Sequence, residues 1–263
     1  HPNKDGSLSF ENPRVFQGKG VTTWEGLIKS VRAKVKGTKV KIRLGASSGE
    51  WKAMVADEAA RTKFAKNIKT VLEKNKLDGI DLDFEWAENE KEYKDYSLAI
   101  LKMREVLGDK YLFSVSLHPV CYKISKEAIE AVDFISLQCY GPSPVRFPIE
   151  KYCSDIQMVL EYGIPKEKLV AGVPFYGVTK DNSKKTEAYF NFVQNGLVTS
   201  PAQNEVIYQG DTYVFDGQDN IRIKTRYAKE QKLKGMMSWD LATDLPLSDS
   251  RSLLKTMTEE LRE

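Results

Sequence analysis

The sequence predicts an α/β protein, a TIM (β/α)8 barrel that lacks its first one or two strands in this chain. Short apolar runs alternate with amphipathic helical segments, which is typical of βαβ units around a parallel sheet. Several of these runs carry polar residues on one face, which suits the interior of a closed barrel better than a sheet covered on both sides. The length of 263 residues is ample for one such barrel.

Strands and helices are assigned from the period of the apolar residues. The strand candidates are Lys39–Ala46, Gly79–Glu85, Tyr111–Leu117, Phe134–Tyr140, Leu169–Phe175 and Gly235–Leu241. The helix candidates are Thr23–Val35, Ala59–Lys76, Asn89–Leu107, Lys126–Val132, Ile149–Tyr162, Ile221–Lys232 and Ser248–Leu261. An open, doubly wound sheet is the competing architecture, because it has the same alternation.

The strand candidates are two fewer than the eight strands that a closed barrel needs. The chain opens with His1-Pro2-Asn3-Lys4-Asp5-Gly6-Ser7-Leu8, which is typical of a turn leaving a strand. We therefore expect one βαβ unit to precede this chain in the intact protein; otherwise the barrel is incomplete. Residues 1–263 are expected to form a single barrel domain.

A longer segment, residues 176–234, precedes the last predicted strand. Its pattern indicates a short helix around Glu187–Gln194 and a hairpin formed by Glu205–Tyr208 and Tyr213–Phe215. The turn of this hairpin is predicted at Gln209-Gly210-Asp211-Thr212. We interpret the segment as a loop and hairpin excursion from the barrel.

Composition excludes several classes of function. The 40 Lys and Arg residues nearly balance the 37 Asp and Glu residues, and the basic residues are scattered, which disfavours nucleic acid as a partner. The chain has no apolar run of the ~20 residues that a membrane span needs, and no signal-peptide pattern at its start. Neither GxGxxG nor GxxxxGK[ST] occurs, so nucleotide chemistry has no sequence support.

Cysteine and histidine are too few for most metal or thiol chemistry. The three cysteines, Cys121, Cys139 and Cys153, lack CxxC spacing and allow at most one disulfide. The two histidines, His1 and His118, give zinc or a Cys/His nucleophile little support. We therefore expect no metal and no organic cofactor.

Three carboxylates stand at alternating positions of the second strand candidate. Asp81, Asp83 and Glu85 share one face, and Ile80, Leu82 and Phe84 share the other, because strand side chains alternate. Carboxylates ~7 Å apart repel by roughly 2 kcal/mol at an effective dielectric constant of ~20. The three acids therefore titrate as one coupled unit. An exposed edge strand would relieve this repulsion in water, and it is the plainer alternative.

The run Asp78-Gly79-Ile80-Asp81-Leu82-Asp83-Phe84-Glu85 fits DGxDxDxE and resembles the signature of glycoside hydrolase family 18, the chitinases and endo-β-N-acetylglucosaminidases. The resemblance extends along the chain. Lys39–Trp51 is similar to the family's third strand, Gln138–Tyr140 to its sixth, Val173–Gly177 to its seventh and Gly235–Asp240 to its eighth. On this register, strands one and two are the missing ones.

The sequence departs from the family pattern at two places. Where the family usually has SxGG on strand three, this chain has Arg43-Leu44-Gly45-Ala46, and we expect Arg43 to supply a counter-charge near the acids. Where MxYD is common on strand six, the chain has Gln138-Cys139-Tyr140-Gly141. Without an acid at Gly141, binding of the sugar's N-acetyl group would depend more on Tyr140 and Gln138.

The resemblance implies a retaining mechanism in which the substrate's own 2-acetamido group attacks the anomeric carbon. Glu85 would be the general acid and base, and Asp83 would orient the acetamido group as it becomes cationic. Asp81 would hold or share a proton, with buried structural support as its alternative. Asp78 has the opposite parity, so we expect it to make hydrogen bonds at the strand entry.

Aromatic and polar residues complete the predicted site, each with packing as the competing interpretation. Tyr140 and Gln138 would bind the acetamido group, and Trp239 would form an apolar floor under the sugar ring. The remaining candidates for substrate contact are Trp86, Trp51 and His118. Of the tryptophans, Trp86 is the better candidate because it follows Glu85.

The sequence therefore predicts a retaining hydrolase of β-1,4-linked N-acetylglucosamine in chitin, chitooligosaccharides or related glycans. A glycan-binding lectin without activity and a divalent-metal site formed by the acids are the alternatives. The expected partner is a saccharide that contains N-acetylglucosamine, with no nucleic acid and no membrane span, and the protein is expected to be a monomer. Family resemblance implies an extracellular, periplasmic or cell-surface location.

Overall fold

The computed structural model describes residues 1–11, 16 and 20–262. Contacts divide the chain into two compact units. Unit 1 comprises His1–Leu117 and Lys123–Asp133, and unit 2 comprises His118–Tyr122 and Phe134–Glu263. In the described part of the chain, no helix combines the length and apolarity needed to cross a membrane. A single domain over residues 1–263 stays a prediction.

Unit 1 consists of three parallel strands with helices between them. Its strands are β1 Arg43–Ser47, β2 Gly79–Asp83 and β3 Leu112–Leu117, and β2 pairs with both others. Its helices are α1 Trp24–Lys34, α2 Trp51–Ala56, α3 Glu58–Asn75, α4 Glu90–Leu107 and α5 Lys126–Ala131. Each of the four helices other than α2 begins after a side-chain cap, which satisfies backbone N–H groups that have no partner within the helix.

The core of unit 1 lies between the apolar face of β2 and helices α2, α3 and α4. Trp51 stacks on Phe84 at 5.6 Å between ring centroids, and Phe64 and Tyr96 meet Trp51 edge-on. The Tyr96 hydroxyl donates to the Leu82 carbonyl at 3.2 Å, which ties α4 to β2. These contacts fix the strand that carries the acids against its helices.

Gly79, at the start of β2, lies where two strands come very close. A Cβ atom added there would lie 2.0 Å from the Leu112 carbonyl oxygen of β3, far inside contact distance. At the same end of the strand, the Asp78 carboxylate accepts a hydrogen bond from the Ile42 amide at 2.8 Å. The predicted strand-entry role of Asp78 is confirmed.

Unit 2 combines a parallel sheet with an antiparallel one. Its parallel strands are β4 Phe134–Leu137, β5 Leu169–Pro174 and β10 Gly235–Trp239, with β5 in the middle. Its antiparallel strands are β6 Tyr176–Thr179, β7 Thr186–Ala188, β8 Glu205–Tyr208 and β9 Asp211–Val214, in the order β7-β6-β9-β8. Its helices are α6 Ile149–Tyr162, α7 Tyr189–Gln194, α8 Gln218–Glu230 and α9 Leu253–Arg262.

The structure differs from the sequence prediction in three main respects. Helix α2 is absent from the prediction because six residues are too short to show a helical period. Residues 176–234 hold four strands, so the excursion is more than a hairpin. The predicted helix Ser248–Leu261 begins later, at Leu253, where the Asp244 carboxylate accepts from the Leu253 and Leu254 amides.

Candidate active site

The acids of β2 occupy the face that the sequence predicts. Ile80, Leu82 and Phe84 are buried on the apolar side, and each is at most 3% exposed. Asp81 and Asp83 lie on the opposite face and are partly exposed, and Glu85 follows the strand end and is exposed. The predicted alternation is confirmed, and exposure increases toward the carboxyl end of the strand.

Asp81 lies at the inner end of this column and is surrounded by donors. The Ser116 hydroxyl donates to Asp81 Oδ2 at 2.7 Å, and the Ser114 hydroxyl donates to Asp81 Oδ1. Burial raises the pKa of Asp81 above its usual value, and these hydrogen bonds and the charge of Arg43 oppose that rise. Burial therefore favours the protonated form of Asp81, whereas the hydrogen bonds and Arg43 favour the ionised form.

Arg43 on β1 brings a positive charge to the same place. Its Nη1 atom lies 3.8 Å from Asp81 Oδ1 and also donates to the Ser114 hydroxyl. The side chains of Arg43 and Asp81 are 25% and 19% exposed. The counter-charge expected from Arg43 is confirmed, and a serine hydroxyl bridges the two charged groups.

The two tryptophans predicted in this part of the chain have different surroundings. Trp51 is 3% exposed and packs among Phe64, Phe84 and Tyr96, so neither ring face is open to a sugar. Its prediction as a substrate contact is wrong, because α2 directs the ring into the core of unit 1. Trp86 is partly exposed next to Glu85, and its contact with substrate stays a prediction.

Unit 2 carries the predicted acetamido-binding residues just beyond β4. Gln138 and Tyr140 are each 6% exposed. The Tyr140 hydroxyl donates to the Met237 sulfur at 3.5 Å, and the Tyr140 ring meets Tyr176 edge-on. Tyr176 in turn donates to the Gly141 carbonyl at 3.2 Å. The roles of Tyr140 and Gln138 toward a substrate stay predictions.

His118 is buried, and both of its ring nitrogens have partners. The Val120 amide donates to Nδ1 at 3.2 Å, so Nε2 carries the hydrogen and donates to the Tyr140 carbonyl at 3.0 Å. Burial, supported by the charge of Arg146, lowers the pKa of His118 to about 4. The ring is therefore neutral near pH 7 and fixes the backbone of Tyr140, which leaves no free nitrogen for a sugar.

Trp239 is the exposed aromatic residue at the end of β10. Its side chain is 53% exposed, and the neighbouring Leu241 is 64% exposed. An indole ring this open can stack against the C–H face of a pyranose. The exposure agrees with the predicted floor residue, while contact with substrate stays a prediction.

Ser114 and Ser116 both contact Asp81, although the sequence motif gives neither of them a role. The register of β2 and β3 would have indicated this contact, because Ser114 pairs directly with Asp81. In the part of the chain that the structure describes, no group of three or more His, Cys, Asp or Glu residues could hold a metal ion. The three cysteines, all within the described residues, form no disulfide.

Comparison with known proteins agrees with the motif. Residues 3–244 match the sequence model of glycosyl hydrolases family 18. A curated relative, probable chitinase 2 of Drosophila melanogaster, is 23% identical over 78% of this chain. The chain spans 56% of the length of that relative.

Solved structures show the fold. A chitinase from Bacteroides thetaiotaomicron matches with a TM-score of 0.81 and 21% identity, over 99% of this chain and 85% of that one. A chitinase-like agglutinin from Robinia pseudoacacia matches with a TM-score of 0.76 and 18% identity, over 98% and 90%. The predicted α/β fold class, with parallel strands of the barrel type, is confirmed.

Proposed function

Because the chain belongs to glycoside hydrolase family 18, we propose that it is a retaining hydrolase of β-1,4-linked N-acetylglucosamine. Chitin, chitooligosaccharides and related glycans are the proposed substrate class. The observation that carries the proposal is the acid column of β2, in which an exposed Glu85 follows Asp83 and a partly exposed, hydrogen-bonded Asp81. A surface strand with no function would have no reason to hold three acids on one face and to leave the lowest of them only 19% exposed.

In the proposed reaction, Glu85 donates its proton to the glycosidic oxygen as the bond from that oxygen to the anomeric carbon breaks. The carbonyl oxygen of the substrate's 2-acetamido group attacks the anomeric carbon and becomes part of a cationic ring. Water then attacks the same carbon, the bond from that carbon to the acetamido oxygen breaks, and Glu85 accepts a proton from the water. Two successive inversions therefore retain the anomeric configuration. Asp83 would stabilise the cationic acetamido group, with Asp81 below it.

The residues of unit 2 are proposed to bind the sugar. Tyr140 would donate to the acetamido oxygen, and Gln138 would supply an amide for the same group. Trp239 would stack under the ring, since it has more than half of its side chain exposed. We assign His118 to the support of Tyr140, because its Nε2 hydrogen already bonds to the Tyr140 carbonyl.

A lectin that binds such glycans without cleaving them is the second candidate, and the similarity to a chitinase-like agglutinin favours keeping it. The carboxyl group at Glu85 argues for the hydrolase, since binding alone needs no proton donor. We propose further that the protein acts as a monomer at an extracellular, periplasmic or cell-surface location. No metal or organic cofactor enters the proposed reaction.

The test compares wild type with Glu85→Gln on chromogenic di- and tri-N-acetylchitoosides and on an N-glycopeptide. We expect turnover of at least one substrate by wild type and a loss of ~10²-fold or more in the variant, as for removal of a general acid. Glu88→Gln is the matched control, because Glu88 is an exposed acid of the same loop that pairs with Lys52 on the surface. It should keep full turnover.

Undiminished turnover in Glu85→Gln would falsify the assignment of the acid. Calorimetric titration with tri-N-acetylchitotriose distinguishes the second candidate. If wild type binds the trisaccharide but cleaves none of the substrates, the lectin proposal replaces the hydrolase.

A further inference from the structure

Arg43 occupies a position from which it can act on the whole acid column. On β1 it pairs in register with Gly79, and Gly45 pairs with Asp81. Neither Gly79 nor Gly45 has a side chain, and a Cβ atom added at Gly45 would meet no other atom within 4 Å. The long side chain of Arg43 can therefore reach along the sheet to Asp81, because no side chain of either glycine stands in its way.

The hydrogen bonds around Asp81 have one consistent direction. A guanidinium can only donate, so Ser114 must accept from Arg43. The single hydrogen of the Ser114 hydroxyl is then available for Asp81 Oδ1, which accepts it. The Ser116 hydroxyl donates to Asp81 Oδ2. Both carboxylate oxygens thus accept hydrogen bonds, an arrangement that suits an ionised carboxylate.

The charged groups of unit 1 near this pair include acids of both neighbouring elements. Asp83 shares the face of Asp81 on β2, and Glu85 follows it. The charge of Asp133, beyond α5, acts on Arg43 together with that of Asp81, and both oppose the lowering of the Arg43 pKa by burial. Asp133 is itself paired with Arg104 at 3.0 Å. Guanidinium groups keep their charge in proteins, so Arg43 is a permanent cation here.

We propose that Arg43 is a positioning residue that neutralises Asp81 in place of a bound proton, so that Asp81 stays ionised beneath Asp83 and Glu85. This deepens the proposed function and rests on it for the catalytic consequence. An ionised, paired Asp81 adds no net charge below Asp83. Without a neighbouring cation, repulsion between the carboxylates would favour a proton on Asp81. With Arg43 beside it, Asp81 needs no proton.

The experiment measures the titration of Asp81 directly by ¹³C NMR of the aspartate carboxyl carbons, with Asp81→Asn to assign the signal. Arg43→Gln removes the charge and keeps an amide donor for Ser114, while Arg43→Lys keeps a charge. We expect the Asp81 titration midpoint in Arg43→Gln to move upward by about one pH unit or more. In Arg43→Lys, the midpoint should stay closer to wild type than in Arg43→Gln.

An Asp81 midpoint in Arg43→Gln equal to that of wild type would overturn the proposal, as would equal upward movement in both variants. A thermal melt of each variant checks that it is folded. If Arg43→Gln does not fold, Arg43→Met replaces it, because it also removes the charge and leaves Ser114 in place. The same outcomes apply: an upward movement of the Asp81 midpoint supports the proposal, and an unchanged midpoint overturns it.

Turnover of tri-N-acetylchitooside adds the arm that depends on the proposed function. We expect a larger loss of kcat in Arg43→Gln than in Arg43→Lys at pH 7, since only the former leaves Asp81 without a counter-charge. If wild type shows no turnover, the proposed function fails, but the NMR titration still decides the role of Arg43. The two failures are therefore distinguishable.

Discussion

Each unit contains an acid and a base in close contact, and the two pairs differ in how they meet water. In unit 1, Arg43 reaches Asp81 partly through Ser114, and both side chains keep about a fifth to a quarter of their surface exposed. In unit 2, Lys224 bonds directly to Asp216 at 2.6 Å, and both are 0% exposed. The first pair is in contact with water, whereas the second is part of the core.

The surroundings of the second pair explain its burial. The Lys224 ammonium lies 5.4 Å from the centroid of the Tyr152 ring and 6.0 Å from that of Phe147. Asn220 donates to Asp216 at 3.3 Å. Burial raises the pKa of Asp216 as it does that of Asp81, and Lys224 opposes the rise as Arg43 does for Asp81. The same electrostatic arrangement thus serves packing in one unit and, we propose, chemistry in the other.

The largest expected effect breaks the pair of unit 2. Lys224→Met leaves a buried carboxylate without its cation, so the free energy of unfolding should fall by about 3–5 kcal/mol. Urea denaturation measures this fall. The double variant Lys224→Met with Asp216→Leu is the control, and it should recover most of the loss because no charge then remains buried. A smaller loss in Lys224→Met than in Arg43→Gln would contradict the comparison.

The next effect concerns His118, whose folded pKa of about 4 lies below its ordinary value of 6.5. The unfolded chain therefore binds a proton more readily, and stability is lost as the pH falls from about 6.5 to about 4. The group accounts for about 3 kcal/mol of this loss. Urea denaturation at pH 7 and pH 4 should show a smaller fall in His118→Gln than in wild type. An equal fall in both proteins contradicts this role.

The smallest effect concerns Asp81. Its folded pKa is raised, so the folded chain holds the proton more tightly than the unfolded chain, and stability declines as the pH rises from about 3.8 through the folded pKa. Asp81→Asn removes this decline. At pH 7 the variant should be as stable as wild type or more stable by less than about 1 kcal/mol, because Arg43, which then lacks the Asp81 charge, is 25% exposed to water. Under the proposed function, the variant should lose turnover. Asp216→Asn should instead destabilise, since it leaves Lys224 buried and unpaired.

Much of the fold and the acid column followed from periodicity in the sequence. A two-residue period fixes which face a strand residue occupies, so the positions of Asp81 and Asp83 in the chain suffice to place them opposite Leu82. The same rule could not place Trp51, because α2 is too short to show a period and its ring turns inward. Nor could it show that β6, which begins directly after Phe175, pairs with β7 and β9, because strand pairing depends on the tertiary structure.

The sequence pattern also does not predict the buried ion pair of unit 2, Asp216 and Lys224. Asp216 and Lys224 stand eight positions apart, and a lysine on a helix is ordinarily exposed. Only the tertiary structure brings Phe147, Tyr152 and Asp216 around that ammonium. By contrast, the departure of Arg43 from the family motif predicts its role as a counter-charge. An ion pair between distant residues can be predicted from sequence only where a signal of this kind singles out one of the two residues.

The close approach of β2 and β3 explains why the second position of the DGxDxDxE motif, Gly79, has no side chain. Any other residue there would wedge the two strands apart at the Leu112 carbonyl. Because Asp81 and Ser114 face each other two steps further along, such a wedge would separate them as well. Redesign of the acids can therefore replace their carboxyl groups, but it must keep glycine at position 79, because the spacing of the two strands depends on it.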